Sequence, residues 1–380
     1  MNGMPPPRQT ESPAPHGEGD ARRPTLKDVA ARAGVSLSTA SLAFSGRGPV
    51  AEATIERVRV AAEDIGYDGP DPVASSLRAG RCGVVAVIVE APLASALRDP
   101  YALQVLDGLA DELGREGLGL LLLAQDPQDL DELTSRVSTM AMDAAVFPFC
   151  GPAENPLVDA LSGRGIPLFA TGAPDHPALV QLTTDEAAAQ SLAVSHLFGL
   201  GHTRIGHITL PLSPGAATGP VDRDAIDGAA YPDAKGRALG FLATMPRTGA
   251  DDPGTSTTTT LIQSSTPDLA EGEAAARLLL DRPVGERPTA IVAQSDLLAA
   301  GALRAAAALG LGVPEDLSVT GYDGVDLPWL DHTLTTIVQP GTDKGRRLGQ
   351  MVRSALSGEM PVTETFEVAL RIGTTTAPPA

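Results

Sequence analysis

The sequence predicts an α/β protein of two lobes preceded by a small all-α headpiece. Three observations lead there. Downstream of Gly83, short apolar strands alternate with amphipathic helices, the pattern of a parallel sheet with right-handed crossovers. The alternation runs in two series, one for each lobe. Upstream, a short helix, a turn carrying a glycine and a second short helix form a helix-turn-helix arrangement.

In chain order, residues 1–23 are rich in Pro and Gly, lack the apolar run of a signal peptide and read as a disordered tail. The headpiece is placed at 24–68. Thr25 is an N-cap with Asp28 three residues on, Leu26, Val29, Ala30 and Ala33 recur at helical spacing, and Gly34 stops the helix. Ser36 caps a second helix, Leu37–Ser45, whose buried face is Ala40, Ala43 and Phe44. A third helix over Ala51–Ile65 turns Ile55, Val58, Ala62 and Ile65 inward, and Gly66-Tyr67 closes it. On its own this pattern also fits a three-helix bundle that never meets nucleic acid.

A linker follows at 69–82 and a large body at 83–376. Strands are read at Val84–Val89, Leu118–Ala124, Ala144–Phe149 and Pro167–Thr171, with helices at Ala102–Glu116, Leu130–Met140 and Asn155–Gly163 between them. The second series contains Arg204–Leu210, Ala290–Gln294 and Leu317–Tyr322. The first lobe is expected at about 83–184 plus 340–357, the second at about 185–339 plus 358–376. Sheets of this kind take ligands at the carboxyl ends of their strands, here in the cleft between lobes.

Composition narrows the function classes. Aromatic residues are 3% of the chain, so Ala, Leu and Val must fill most of the core. The net charge of −19 looks wrong for a partner of nucleic acid, but its distribution does not. Residues 22–81 hold nine Lys/Arg against seven Asp/Glu, whereas from Cys82 onward 18 basic residues face 37 acidic ones. The acidity belongs to the body, which should repel DNA except where a headpiece holds it. Apolar runs are too short to cross a bilayer. Cys82 and Cys150 have neither metal-site nor redox-motif spacing; a reducing cytoplasm suits them, and one is expected as a buried apolar residue. No Gly-x-Ser-x-Gly elbow, phosphate loop or metal cluster is present, and Gly199-Leu-Gly201 and Gly310-Leu-Gly312 lack the third glycine of a dinucleotide fingerprint. No catalytic residue, metal or cofactor is therefore expected.

The run Thr25-Leu-Lys-Asp-Val-Ala-Ala-Arg-Ala-Gly-Val-Ser-Leu-Ser-Thr-Ala-Ser41, then Ala51–Tyr67 and Val73-Ala-Ser-Ser-Leu-Arg78, resembles the headpiece of the lactose repressor (LacI) family. The resemblance continues through Leu200-Gly-His-Thr-Arg-Ile205, Arg237-Ala-Leu-Gly-Phe241, Gln294-Ser-Asp296, Val313-Pro-Glu-Asp-Leu-Ser-Val-Thr-Gly-Tyr-Asp323 and Leu334-Thr-Thr-Ile-Val-Gln-Pro340. It implies a periplasmic-binding-protein-like body and a cytoplasmic, dimeric transcriptional repressor. Its partners would be double-stranded operator DNA and a small-molecule effector bound between the lobes, a sugar first and a nucleobase or nucleoside second. By the same resemblance, Leu37, Ser38 and Leu42 face base edges, and Thr25, Ser36, Thr39, Ser41, Thr54 and Tyr67 grip phosphates. Leu77 would be the wedge of a hinge helix in the minor groove, with Arg78 beside it on phosphate. The second helix has no Arg, Lys, Asn or Gln, so readout must rely on thymine methyls and hydroxyls.

For the effector, the resemblance points to Tyr101, Arg237, Asp296 and Gln339. An Arg and an Asp facing each other suit hydroxyls, though they could equally pair with each other across the lobes. His202 and His207 read as turn and packing residues, and Tyr322 and Trp329 as cleft lining or core. Gly172 stands where the family often has an acid, and Pro211–Ala234 is longer than usual and could cover the pocket. The chain's end leaves no room for a C-terminal heptad helix, which favours a dimer. A solute-binding protein without DNA function is the remaining alternative; it would have a leader and no headpiece.

Overall fold

The computed structural model describes residues 24–45, 48–69, 80–125, 130–245 and 258–380. The chain falls into two compact units, Met1–Gly80 and Arg81–Ala380. Among the described residues of the first, three helices span Leu26–Ala33, Leu37–Ser45 and Glu52–Asp64. The Thr25 amide and hydroxyl both donate to Asp28 Oδ2, at 2.8 and 2.6 Å, and Gly34 leaves the first helix at φ 66°, where only glycine is unstrained. Ser36 Oγ accepts the Thr39 amide at 3.0 Å and so caps the second helix. Val29, Ala30, Ala40, Val58, Ala61 and Ala62 form the core, with Phe44 edge-on to Tyr67 at 5.4 Å. Ile55 departs from expectation: it keeps 37% of its surface. It lies in the first turn of the third helix, and the buried cluster begins only at Val58.

The described strands of the second unit are β1 (Val84–Val89), β2 (Gly119–Ala124), β3 (Ala144–Phe147), β4 (Leu168–Ala170), β5 (Leu179–Thr184), β6 (Arg204–Thr209), β7 (Gly219–Pro220), β8 (Thr258–Gln263), β9 (Ala290–Ala293), β10 (Ser318–Asp323), β11 (Thr335–Val338), β12 (Glu364–Phe366) and β13 (Ala369–Arg371). They form two sheets, ordered β12-β5-β4-β3-β1-β2 and β13-β11-β10-β9-β6-β8-β7. The first is parallel throughout; in the second only the outer pairs β11/β13 and β7/β8 are antiparallel. The order 5-4-3-1-2 of the first sheet recurs as 11-10-9-6-8 in the second. Each sheet therefore has a switch point, beside β1 and beside β6, where carboxyl ends open a crevice.

The chain passes between lobes after β5, after β11 and after β12. The last crossing corrects an expectation. Residues 358–366 belong to the first lobe, because Glu364, Thr365 and Phe366 pair with Leu182, Thr183 and Thr184 of β5.

A core poor in aromatics packs its helices closely. In the first lobe Pro100–Arg115 lies against Gly341–Leu356, and a Cβ on Gly108 would overlap the Thr342 carbonyl just as one on Gly345 would overlap that of Val105. In the second lobe Gly240 of Pro232–Thr244 sits on Ala187 of Glu186–Gly199, and Gly301 of Asp296–Ala308 on the backbone of Leu269–Leu280. Glycine here replaces side-chain volume with backbone contact, which shortens the distance between helix axes.

Candidate functional site

Two surfaces carry the chemistry. In the headpiece, Leu37, Ser38, Ser41 and Leu42 are all exposed on the second helix, Leu37 by 52% and Leu42 by 38%. Leu42 also leans on the backbone of Gly48, whose Cβ position is 3.1 Å from Leu42 Cδ2. Ser36 Oγ lies 2.8 Å from both Ser38 Oγ and Thr39 Oγ1, so three hydroxyls converge at a helix N-terminus, a natural place for an anion. Thr25 is different: its hydroxyl is engaged by Asp28. Thr54 Oγ1 receives a long bond from Arg57, 3.4 Å, and Tyr67 packs on Phe44. Leu77 and Arg78 lie outside the described residues.

In the body, the expected effector residues sit at carboxyl ends of strands or on the helices beside them. Tyr101 opens the helix Pro100–Arg115, whose N-cap Asp99 accepts the Tyr101 amide at 2.9 Å. Its hydroxyl donates to Gln339 Oε1 at 3.1 Å, linking the first lobe to the end of β11. Lys344, not anticipated, donates to Gln339 Oε1 at 3.1 Å, Thr184 Oγ1 at 3.2 Å and Tyr101 OH at 3.4 Å. Burial lowers the pKa of this ammonium. With its oxygen occupied, the Gln339 amide turns its nitrogen to Asp323 Oδ1, 3.1 Å away.

Arg237 and Asp296 do not face each other. Both belong to the second lobe and each has its own partners. Arg237 donates to Glu186 Oε2 at 2.6 Å and to the Gln294 carbonyl at 2.7 Å, and its guanidinium lies 3.7 Å over the Tyr322 ring. Tyr322 donates to the same Glu186 oxygen at 2.7 Å. Asp296 is wholly buried: its carboxylate accepts the Thr336 hydroxyl at 2.5 Å and the Val325 amide at 2.8 Å, pressed against Gly321, where a side chain would overlap it. Burial raises its pKa to about 7. This is a staple holding the ends of β10 and β11, with each carboxylate oxygen engaged by its own donor.

The acid at the cleft is Asp323. It takes φ 121°, the one non-glycine residue in the left-handed region among those described, and receives bonds from Gln339 Nε2 and the Asp296 amide. Strain of this kind persists only where surrounding structure enforces it, and it collects at functional sites. Burial and the neighbouring Asp296 raise its pKa strongly.

The first-lobe side of the cleft holds Glu90 after β1 and Cys150 after β3, and Asp233, in the first turn of Pro232–Thr244, meets them from the second lobe. Asn155 caps Pro156–Ser162 and donates its side-chain amide to Glu90 Oε1 and to Gln125 Oε1, joining the ends of β1 and β2. Asp233 fills the space beside Gly172, where a Cβ would stand 3.0 Å from Asp233 Oδ1. The acid absent from the first lobe is supplied by the second.

Neither cysteine is a fully buried apolar residue. Cys82 is half-buried and its thiol bonds Asp143; Cys150 keeps residue surface exposed, while desolvation beside Asp233 and Glu186 pushes its thiol pKa up. Within the longer segment 211–234, Ala230 receives the amide of Ala153 from the other lobe at 2.9 Å, so this insertion does reach across the cleft. Tyr322 is buried in the cleft wall, whereas Trp329 is 54% exposed on the outer surface. His207 stacks on Phe241 at 4.3 Å and donates Nδ1–H to the Val292 carbonyl, and His202 is buried among Thr289, Ser318 and Ala377; both are packing residues.

Comparison with known proteins covers both units of the chain. Residues 25–69 match the bacterial regulatory proteins of the lacI family, and residues 194–376 match the periplasmic binding protein-like domain. An HTH-type transcriptional regulator of Mycolicibacterium smegmatis is 31% identical over 96% of this chain and all of its own length. The solved complex of the transcriptional regulator CelR with cellobiose superposes with a TM-score of 0.64 at 25% identity, over 93% of this chain and all of that one. The lac repressor dimer bound to operator and the anti-inducer ONPF gives 0.71 at 20% identity, over 94% of this chain and all of that one. Helix-turn-helix headpiece, two-lobed body and full-length relatives together make the chain a member of the LacI family of DNA-binding transcriptional regulators.

Proposed function

We propose that this regulator is a repressor whose operator affinity is switched by a hydroxylated small molecule, a sugar or sugar derivative, held between its lobes. The observation that carries the reading is the convergence of Tyr101, Gln339, Lys344, Asp323 and the pinned Arg237 at the mouths of two switch points. Fixed carboxylates, an amide and a guanidinium are the groups that bind adjacent hydroxyls. The cellobiose bound by CelR supports a sugar-type ligand. Within this reading Asp323, and not Asp296, contacts the effector.

On DNA, two headpieces of a homodimer read half-sites about one helical turn apart. Thr39, Ser36 and Ser38 hold phosphate at the second helix, while Leu37 and Leu42 meet thymine methyls. Leu77 supplies the hinge wedge. Effector and operator affinities are coupled reciprocally. Fluorescence anisotropy with the DNA upstream of the protein's own gene, at low salt and with a panel of sugars, tests this. Operator binding that changes at least fivefold with one sugar is expected, and binding indifferent to every sugar removes the switch. Leu42→Arg should add a guanine preference in a binding selection, and Leu77→Ala should weaken operator binding tenfold while sparing effector binding.

A further inference from the structure

Carboxyl groups outnumber cations in the cleft, and their placement says what ligand would complement them. Six carboxyl groups line or flank it: Glu90, Asp99, Glu186, Asp233, Asp296 and Asp323. Among the described residues Arg237 and Lys344 stand against them, both occupied, and Arg371 acts on Asp296. Arg237 is paired to Glu186 and held on Tyr322. Lys344 directs its three donors to the neutral oxygens of Tyr101, Thr184 and Gln339. Among the described residues no Lys, Arg or His stands within ion-pair distance of Glu90 or Asp233; their bonds come from Asn155 and from the Cys150 thiol.

Glu90 and Asp233 approach from opposite lobes: the Glu90 carboxylate fills the space a side chain on Gly151 would take, and the thiol of the adjacent Cys150 bonds Asp233. Burial raises the cost of ionising both: Glu90 is pushed up to about 7, with Asp233 adding to the effect, and Asp233 lies above the usual carboxylate range, with Glu186 adding to it. Asp233 lies in the first turn of a thirteen-residue helix, where the dipole favours the anion, and is held against Gly172. Among the described residues no group of three or more His, Cys, Asp or Glu is disposed to hold a metal ion. The complement to two opposed carboxylates beside hydroxyl-binding groups is an organic cation carrying hydroxyls.

We infer that the cleft is built for a polyol bearing a protonated primary amine, an amino sugar or a close analogue, with the ammonium between Glu90 and Asp233 and the hydroxyls toward Asp323, Gln339 and Arg237. This rests on the cleft being the effector site. The ammonium would draw Glu90 and Asp233 together, which is lobe closure, whereas a neutral sugar leaves two carboxylates facing each other. The groups facing this pair are Tyr231, Cys150, Glu186, Arg237 and Lys344; of these only Lys344 and Arg237 are basic, and both are engaged as described.

Calorimetry on the full chain with matched probes tests the inference: D-glucosamine against D-glucose and N-acetyl-D-glucosamine, and D-galactosamine against D-galactose. The amine should bind at least tenfold more tightly than its neutral partners in one series. Because both carboxyls must ionise to hold it, its affinity should rise from pH 5.5 to 7.5, with proton release seen in buffers of unlike ionisation enthalpy. Asp233→Asn and Glu90→Gln, checked for an unchanged melting temperature, should each bring the amine and neutral affinities within threefold. A neutral sugar that binds as well as its amine, and is lost in Arg237→Ala, overturns the amine assignment while leaving the cleft as the effector site. Binding of none of the probes overturns the assignment; a sugar that binds but survives Arg237→Ala overturns the cleft reading with it.

Discussion

The two acids of the second lobe that sequence and structure assign differently make the sharpest test. Asp296→Ala removes the acceptor of a buried hydroxyl, Thr336, and of a buried amide, Val325. A buried donor left unsatisfied costs about 1–3 kcal/mol, so two cost about 4 kcal/mol. That is a large share of the stability of an ordinary domain, and it should appear as a lower urea midpoint with the slope unchanged. Asp323→Gly frees a residue at φ 121°, recovering about 1–3 kcal/mol of strain against the loss of two bonds. Its midpoint should stay within about 1 kcal/mol of the parent, while effector affinity falls at least tenfold. The measurements are urea unfolding by circular dichroism and calorimetric titration on both variants. Should Asp296→Ala unfold like the parent yet lose the effector, and Asp323→Gly bind normally, the reasoning from the hydrogen bonds is wrong and Asp296 is the contact.

Close helix packing gives a second prediction. Gly345→Ala should cost several kcal/mol and weaken effector binding with it, because separating the two helices separates Tyr101 from Lys344, whereas Gly114→Ala, on the same helix as Gly108 but facing open space, should stabilise by about 0.5–1 kcal/mol. The third concerns pH. Burial lowers the His207 pKa to about 3, so the native state stays neutral where the unfolded chain takes up a proton, and stability falls as pH drops from about 6.5 toward 3, by roughly 5 kcal/mol at most. Glu90, raised to about 7, has the opposite sign: its contribution is present below about 4.5 and lost as pH rises through 7. Thermal melts from pH 4.5 to 6.5 should therefore gain a downward slope with rising pH in His207→Asn and an upward one in Glu90→Gln; equal slopes in both variants contradict the assignment.

The headpiece was legible because its determinants are local. A capping threonine, a stopping glycine and a capping serine act within three or four residues, and each stands where the spacing put it. The strands β1 and β3 were legible as unbroken apolar runs, as strands covered on both faces are, whereas β6 (Arg-Ile-Gly-His-Ile-Thr) and β10 (Ser-Val-Thr-Gly-Tyr-Asp) are buried despite polar residues and were legible from their place in the alternation with helices. The strand β8, Thr-Thr-Thr-Leu-Ile-Gln, begins as a threonine run without an apolar period, and β12 depends wholly on a partner, β5, some 180 residues away in the chain. No sequence period records such a pairing, and the lobe boundary at 358 was misplaced for that reason.

The site divides along the same line. Tyr101, Arg237 and Gln339 could be named from motifs, but their partners could not. Glu186 opens a helix and Tyr322 ends a strand run, and nothing in either neighbourhood announces that they share Arg237 between them. The choice between Asp296 and Asp323 turns on Gly321: without a side chain there, the Asp296 carboxylate can lie on β10 and be consumed by Thr336 and Val325, which leaves the next acid to close the strand and face the cleft. Gly172 follows the same logic in the other lobe, because the missing side chain admits Asp233 from across the cleft. A glycine at the end of a sheet strand is thus a positional signal, marking where a charged group from elsewhere in the fold comes to rest.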